Sequence, residues 1–135
     1  MPFIAIDTIR TDQNRPDGLS HVNPDHVSAV AQPRENPQGW THIFLDALDD
    51  SGGARSLTTA RELQHVLARF GPFVEIRRLE IQTGDNWPVW HVRVAAIVAL
   101  VPAGEGRGRL FLKNRADLWV NYADVATSLA KSSAT

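Results

Sequence analysis

His21-Val22-Asn23-Pro24-Asp25-His26-Val27-Ser28-Ala29-Val30 returns seventy residues later, in looser form, as His91-Val92-Arg93-Val94-Ala95-Ala96-Ile97-Val98-Ala99-Leu100. Self-similarity at a fixed offset decides the architecture when it is real, and here it extends outward in both directions. Pro2-Phe3 falls on Pro72-Phe73, and Ile4 and Ile6 fall on Val74 and Ile76. After a shorter hairpin in the second half, Ile43-Phe44-Leu45 meets Leu110-Phe111-Leu112, and Leu63, Leu67 and Ala68 meet Val125, Leu129 and Ala130. Each half also changes apolar parity early, at Ile9 after Ile4 and Ile6, and at Leu79 and Ile81 after Val74 and Ile76. A one-residue change of parity turns side chains to the other face, as a β-bulge does. The chain reads as a tandem pair, 1–71 and 72–135. Each half is expected to run strand, loop, strand, hairpin, strand, helix, and the two to pack as one α+β body of antiparallel sheets and two helices.

Strands are expected near 3–9, 26–32, 40–48 and 54–57, then near 73–81, 89–101, 108–113 and 117–120. The polar, Pro-rich stretches Asp12–Gly18 and Gln32–Gly39 read as exposed loops. Leu63, Val66, Leu67 and Phe70 form one apolar helical stripe. Thr59 with Glu62 suggests a capping box, and Gly71-Pro72 ends the helix, with Gly71 suited to a left-handed position. Asn121 caps a closing helix whose Val125 and Leu129 face inward, and the tail from Ser132 should fray.

Composition narrows the function. The 135 residues are 43% hydrophobic and 21% charged, a globular balance for a domain large enough to bury about two-thirds of its unfolded surface. With no cysteine, disulfides, zinc ribbons, thiolate catalysis and iron–sulfur clusters are excluded together. Net charge is −1, so the whole chain exerts no pull on nucleic acid or anionic lipid. The opening MPFIAIDTIR lacks the pattern of a signal peptide. With no run of 18 apolar residues, no membrane partner and a cytoplasmic location are the expectation.

Val22-Asn23-Pro24-Asp25-His26-Val27, followed by Val30, a hairpin ending in Gly and a short amphipathic helix, resembles the small FlbD/SwrD-type proteins linked to flagella and swarming. That resemblance covers 3–70 and, in degraded form, 73–131, where Arg93-Val94-Ala95 replaces the turn motif. A second resemblance spans 22–131. Leu57–Leu67 as a central helix, Phe73-Val74-Glu75-Ile76-Arg77-Arg78 as a strand and Ile97–Asn114 as a later hairpin are similar to the LytTR-type DNA-binding domain of response regulators. That family carries a His-Arg-Ser step and a Ser-Arg step before its last helix. Arg77-Arg78-Leu79 and Asn121-Tyr122 stand nearest those places, and Gln82–Trp90 is an additional stretch. This resemblance implies a DNA-contacting regulator.

The most informative local feature is Arg107-Gly108-Arg109-Leu110-Phe111-Leu112-Lys113-Asn114-Arg115. On a strand, Arg107, Arg109, Phe111, Lys113 and Arg115 share one face, spaced roughly 6.5–7 Å apart, close to the repeat of phosphates along a nucleic-acid strand. A basic row around an aromatic suits backbone contact plus stacking, and it equally suits a soluble, protected edge strand. Residues 71–135 hold 8 basic and 6 acidic side chains, against 6 and 9 in residues 1–70. Trp87 and Trp90 stand where the first half has Asp17 and Ser20, so the second half gained two aromatics. They read either as core caps or as anchors for a partner.

Other chemistry is weakly signalled. His21, Asp25, His26 and His91 have loop-like rather than metal-ligand spacing. Asp46, Asp49 and Asp50 suit a turn before Ser51-Gly52-Gly53, and Gly104–Gly108 suits a hairpin tip. No cofactor, metal or catalytic residue is expected. The leading expectation is a non-enzymatic adaptor or inhibitor that recognises another protein through Trp87, Trp90, Arg107, Arg109, Phe111, Lys113 and Arg115. The alternative is a LytTR-like regulator touching DNA phosphates through 107–115. Unpaired sheet edges would also allow a homodimer.

Overall fold

The computed structural model describes residues 3–10, 15–79, 87–114 and 117–133. Strands β1 (Ile4–Arg10) and β2 (Arg15–Val22) form a hairpin, and a 3-10 turn at Pro24–His26 leads into β3 (Val27–Ala31). β4 (Thr41–Leu48), β5 (Ala54–Thr59) and helix α1 (Leu63–Phe70) follow. The second half runs β6 (Val74–Arg77), β7 (Val89–Val92), a 3-10 turn at Val94–Ala96, β8 (Ile97–Pro102), β9 (Arg107–Leu112), β10 (Asp117–Asn121) and α2 (Tyr122–Ser133). The fold is α+β, and every strand pairing is antiparallel.

Among the described residues three sheets form, ordered β1-β2, β5-β4-β3-β7-β6 and β10-β9-β8. The middle one draws on both halves, because β7 pairs with β3 through Ala29↔Val92, Val30↔His91 and Ala31↔Trp90. Two cores fill the spaces. In one, Val66 and Phe70 of α1 close on Ile6, Val22, Val27, Val30 and Ile43, so the apolar stripe read from the sequence is the buried face. In the other, Leu110, Leu112, Leu118, Val120 and Val125 meet Ala29, Ala31, Ile76, Trp90 and Val92. Full burial of a side chain such as Phe70 stabilises by about 1.5–3 kcal/mol.

Several local signals set the structure directly. The register of β1 on β2 shifts between Thr8 and Ile9, where the apolar parity changes. Asn23 Oδ1 accepts from Asp25 N at 3.0 Å and sets the first 3-10 turn. Asn121 Oδ1 accepts from Asp124 N at 3.0 Å and caps α2, whose Val125 is buried. Asp49 Oδ1 accepts from Ser51 N and Gly53 N, which makes it a turn residue.

Four expectations need correction. Arg15–Gly18 belongs to β2 rather than to a loop; these residues are exposed, so they show no apolar alternation. The run expected at 89–101 is two strands broken by the turn Val94–Ala96, which carries no Asn or Pro to announce it. Thr59 ends β5, and its Oγ1 accepts from Arg61 N at 3.1 Å, while Glu62 precedes the helix without a side-chain cap. The capping box is therefore absent. Gly71 has φ −64° and is not left-handed; its requirement is steric, since a Cβ there would lie 2.6 Å from Leu67 O. α2 runs to Ser133. Ile81 and Asp12–Asn14 lie outside the described residues.

Candidate nucleic-acid interface

Strict alternation places the site. In β9, Gly108, Leu110 and Leu112 are buried, and Arg107, Arg109 and Phe111 are half-buried on the opposite face. β10 repeats the pattern, with Leu118 and Val120 inward and Asp117 and Trp119 outward. Register then sets Trp119 opposite Arg109 and Asp117 opposite Phe111. Ala99 and Val101 of β8 complete this outer face, opposite Phe111 and Arg109.

The arginines lie across the rings beside them. The Arg109 guanidinium carbon sits 5.1 Å from the Trp119 ring centre and 5.2 Å from that of Phe111. Arg107 sits 5.5 Å from Trp119. Such stacks are each worth about 0.5–1 kcal/mol at exposed sites. Arg109 Nη2 also pairs with Asp117 Oδ2, and Arg107 Nη2 lies 3.5 Å from Glu105 Oε2. Both arginine side chains keep 40% of their surface exposed. Ring contacts and one carboxylate apiece hold each guanidinium, whose Nε is buried while the side chain as a whole stays part-exposed. That is a geometry suited to phosphate oxygens.

Lys113 is exposed just beyond the end of β9, and its main chain donates to Ala96 O at 2.9 Å. Arg115 lies outside the described residues. The sequence row is thus realised for Arg107, Arg109 and Phe111. Trp119 was missed: it belonged to an expected strand, and only knowledge of which strand pairs with 107–112 would have put it under the arginines. Near the other edge of β10, Arg78 bridges Val120, and Leu79 N donates to Trp119 O at 2.7 Å. Arg77 and Asn121 line a cleft of about 190 Å³ together with Glu75 and Asp124, so both places marked by the LytTR-type resemblance come together.

The tryptophans stand elsewhere. Trp90 is 6% exposed and stacks on Phe44 at 4.8 Å, with its Nε1 donating to Trp87 O at 3.1 Å. Trp87 is half-buried with its ring edge-on to His42 and Phe44. Both point into the space under the second half, away from the arginine face, and the expected continuous patch of tryptophans and arginines is not formed. Gly84–Asn86 of that expected loop lie outside the described residues. Burial lowers the pKa of His42 below 6.5, and it lowers that of His91 too, where the Glu75 carboxylate partly offsets it. Among the described residues no three His, Asp or Glu side chains converge as a metal site. No helix among them is long and apolar enough to cross a membrane.

No protein-family model and no curated protein matches the sequence. A solved structure does match: a chain from Bacillus cereus described as the LytTr DNA-binding domain of a response regulator. It is 17% identical, with a TM-score of 0.54, over 96% of this chain and 97% of that one. The likeness shows that the two share a fold along nearly their whole lengths. None of these findings supports the FlbD/SwrD resemblance.

Proposed function

We propose that this protein binds nucleic acid, meeting the phosphate backbone with the outer face of β9 and β10. The observation that carries the reading is the pair of half-exposed arginines, Arg107 and Arg109, stacked on Trp119 and Phe111 of one sheet face. The fold likeness supports it, since the matching chain is described as DNA-binding. Lys113 extends the row. The competing reading, recognition of a protein partner through Trp87 and Trp90, loses its anchor with Trp90 in the core.

Fluorescence anisotropy with a labelled DNA duplex over a salt series tests the proposal. Three phosphate contacts from Arg107, Arg109 and Lys113 give a slope of log K against log salt of about −2.7, and Arg109→Glu should flatten it by about one. Unchanged affinity and slope for Arg107→Glu/Arg109→Glu would refute this face as the contact surface. A single-stranded probe run alongside distinguishes duplex from strand binding.

A further inference from the structure

The second half repeats the element order of the first: hairpin, 3-10 turn, three-stranded meander, helix. Local irregularities recur as well. β3 on β4 shifts register between Val27 and Ala29, and β8 on β9 shifts between Ile97 and Ala99. After the shift Ala29 faces Phe44, and Ala99 faces Phe111. One relation breaks this parallel. β3 carries the β6–β7 hairpin on its outer edge, whereas β8 pairs, among the described residues, only with β9.

That edge is unusual. Ile97-Val98-Ala99-Leu100-Val101-Pro102 contains no charged residue, and Val98 is 64% and Val101 42% exposed. Edge strands ordinarily carry lysine or another charge that discourages further pairing; only the terminal Pro102 serves that purpose here. The strand corresponding to β7 in the first half is β2, and its outer edge is likewise unpaired among the described residues, with Leu19 62% exposed.

We propose that 1–71 and 72–135 are tandem units, and that β8 of one molecule pairs with β2 of a second copy, repeating between chains the junction that β3 and β7 make within one. Shifting that internal register by seventy residues gives Ala99↔Val22, Leu100↔His21 and Val101↔Ser20. These pairs bring no like charges together, and they build a sheet ordered β10-β9-β8-β2-β1. Because α2 packs beside β8 as α1 packs beside β3, the helix leaves the same room for an incoming hairpin. The surfaces joined are different, so the contact is head-to-tail and propagates into rings or filaments rather than stopping at a two-fold dimer.

Sedimentation velocity on the full chain, free of nucleic acid and over a wide concentration range, tests this directly. The expected result is a weight-average mass that climbs with concentration above the 14.9 kDa monomer through several species. Val98→Lys should return the protein to monomer. The chain has no cysteine of its own, so Ser20→Cys/Val101→Cys should give an oxidised ladder of dimers, trimers and higher species, while each single variant, its cysteine facing Val101 or Ser20, stays uncrosslinked. A monomer at every concentration overturns the proposal. So does assembly unaffected by Val98→Lys, or a Val101→Cys variant that crosslinks as fully as the double one, which would mean β8 pairs with itself. None of these readouts involves nucleic acid, so they stand or fall apart from the anisotropy result.

Discussion

Truncating Trp90 to alanine separates a core indole from a surface anchor. In the structure its ring stacks on Phe44 at 4.8 Å, packs 6.2 Å from the Trp87 ring and donates through Nε1 to Trp87 O. Removing a buried Trp costs about 3–5 kcal/mol through lost transfer energy and the cavity left behind. The unfolding entropy of a chain this long is about 0.28 kcal/mol per kelvin, so Tm should fall by roughly 11–18 °C. Far-UV circular dichroism under thermal and guanidinium denaturation is the suitable assay, because it does not depend on the fluorophore removed. Trp87→Ala serves as the comparison. It is half-buried and keeps its main-chain oxygen for Trp90, so it should cost only about 1–2 kcal/mol. A loss below about 1 kcal/mol for Trp90→Ala would refute the placement of this indole between the middle and three-stranded sheets.

Gly71→Ala should destabilise by about 1–3 kcal/mol, because the new methyl would press on Leu67 O, the acceptor of Gly71 N at 2.9 Å; an unchanged urea midpoint would refute the steric argument. Acid should weaken the fold through His42 and His91. Burial lowers both pKa values from 6.5, so as pH falls below 6.5 the unfolded chain takes up protons first. Their contribution is whole above that pH and is lost as pH drops toward the depressed folded values. The denaturation midpoint should be lower at pH 5.5 than at pH 7.5, and His42→Gln/His91→Gln should shrink the difference. An undiminished difference in that variant would refute the assignment.

The sequence exposed those parts of the fold where periodicity and packing agree. The stripe of α1, the Asn121 cap and the alternation of 107–112 all follow from which residues must leave water. What was hidden lacked that coupling. β2 is exposed from Arg15 to Leu19, so nothing in that stretch distinguishes a strand from a loop. The turn at Val94–Ala96 is built from apolar residues and continues the hydrophobic run on either side. For the candidate site, the shared face of Arg107, Arg109 and Phe111 was legible because period two is local. Trp119 required a pairing partner ten residues away, and Trp90 required knowing that β7 joins β3. A tryptophan in a polar setting looks the same in sequence whether it waits for a partner or for the other half of its own chain.

The two meanders differ in what covers the corresponding face. His42 and Phe44 on β4 occupy the places that Arg109 and Phe111 hold on β9, relative to the shared register shift. In the first half that face is covered by Trp87 and Trp90, brought in by the second. In the second half no tryptophan pair covers the half-buried Phe111 and Trp119 rings, and guanidinium groups lie over them instead. Solubility alone asks only for charge there, and lysine would supply it. Flat stacking and a planar fork of donors are what arginine adds. Arg107→Lys/Arg109→Lys therefore separates the two causes. If the face receives phosphates through oriented guanidinium edges, affinity for a duplex should fall several-fold while the salt slope holds, since charge is conserved. Unchanged affinity would show that charge alone does the binding, and the stacks would then be a covering for Trp119 and Phe111 rather than part of the contact.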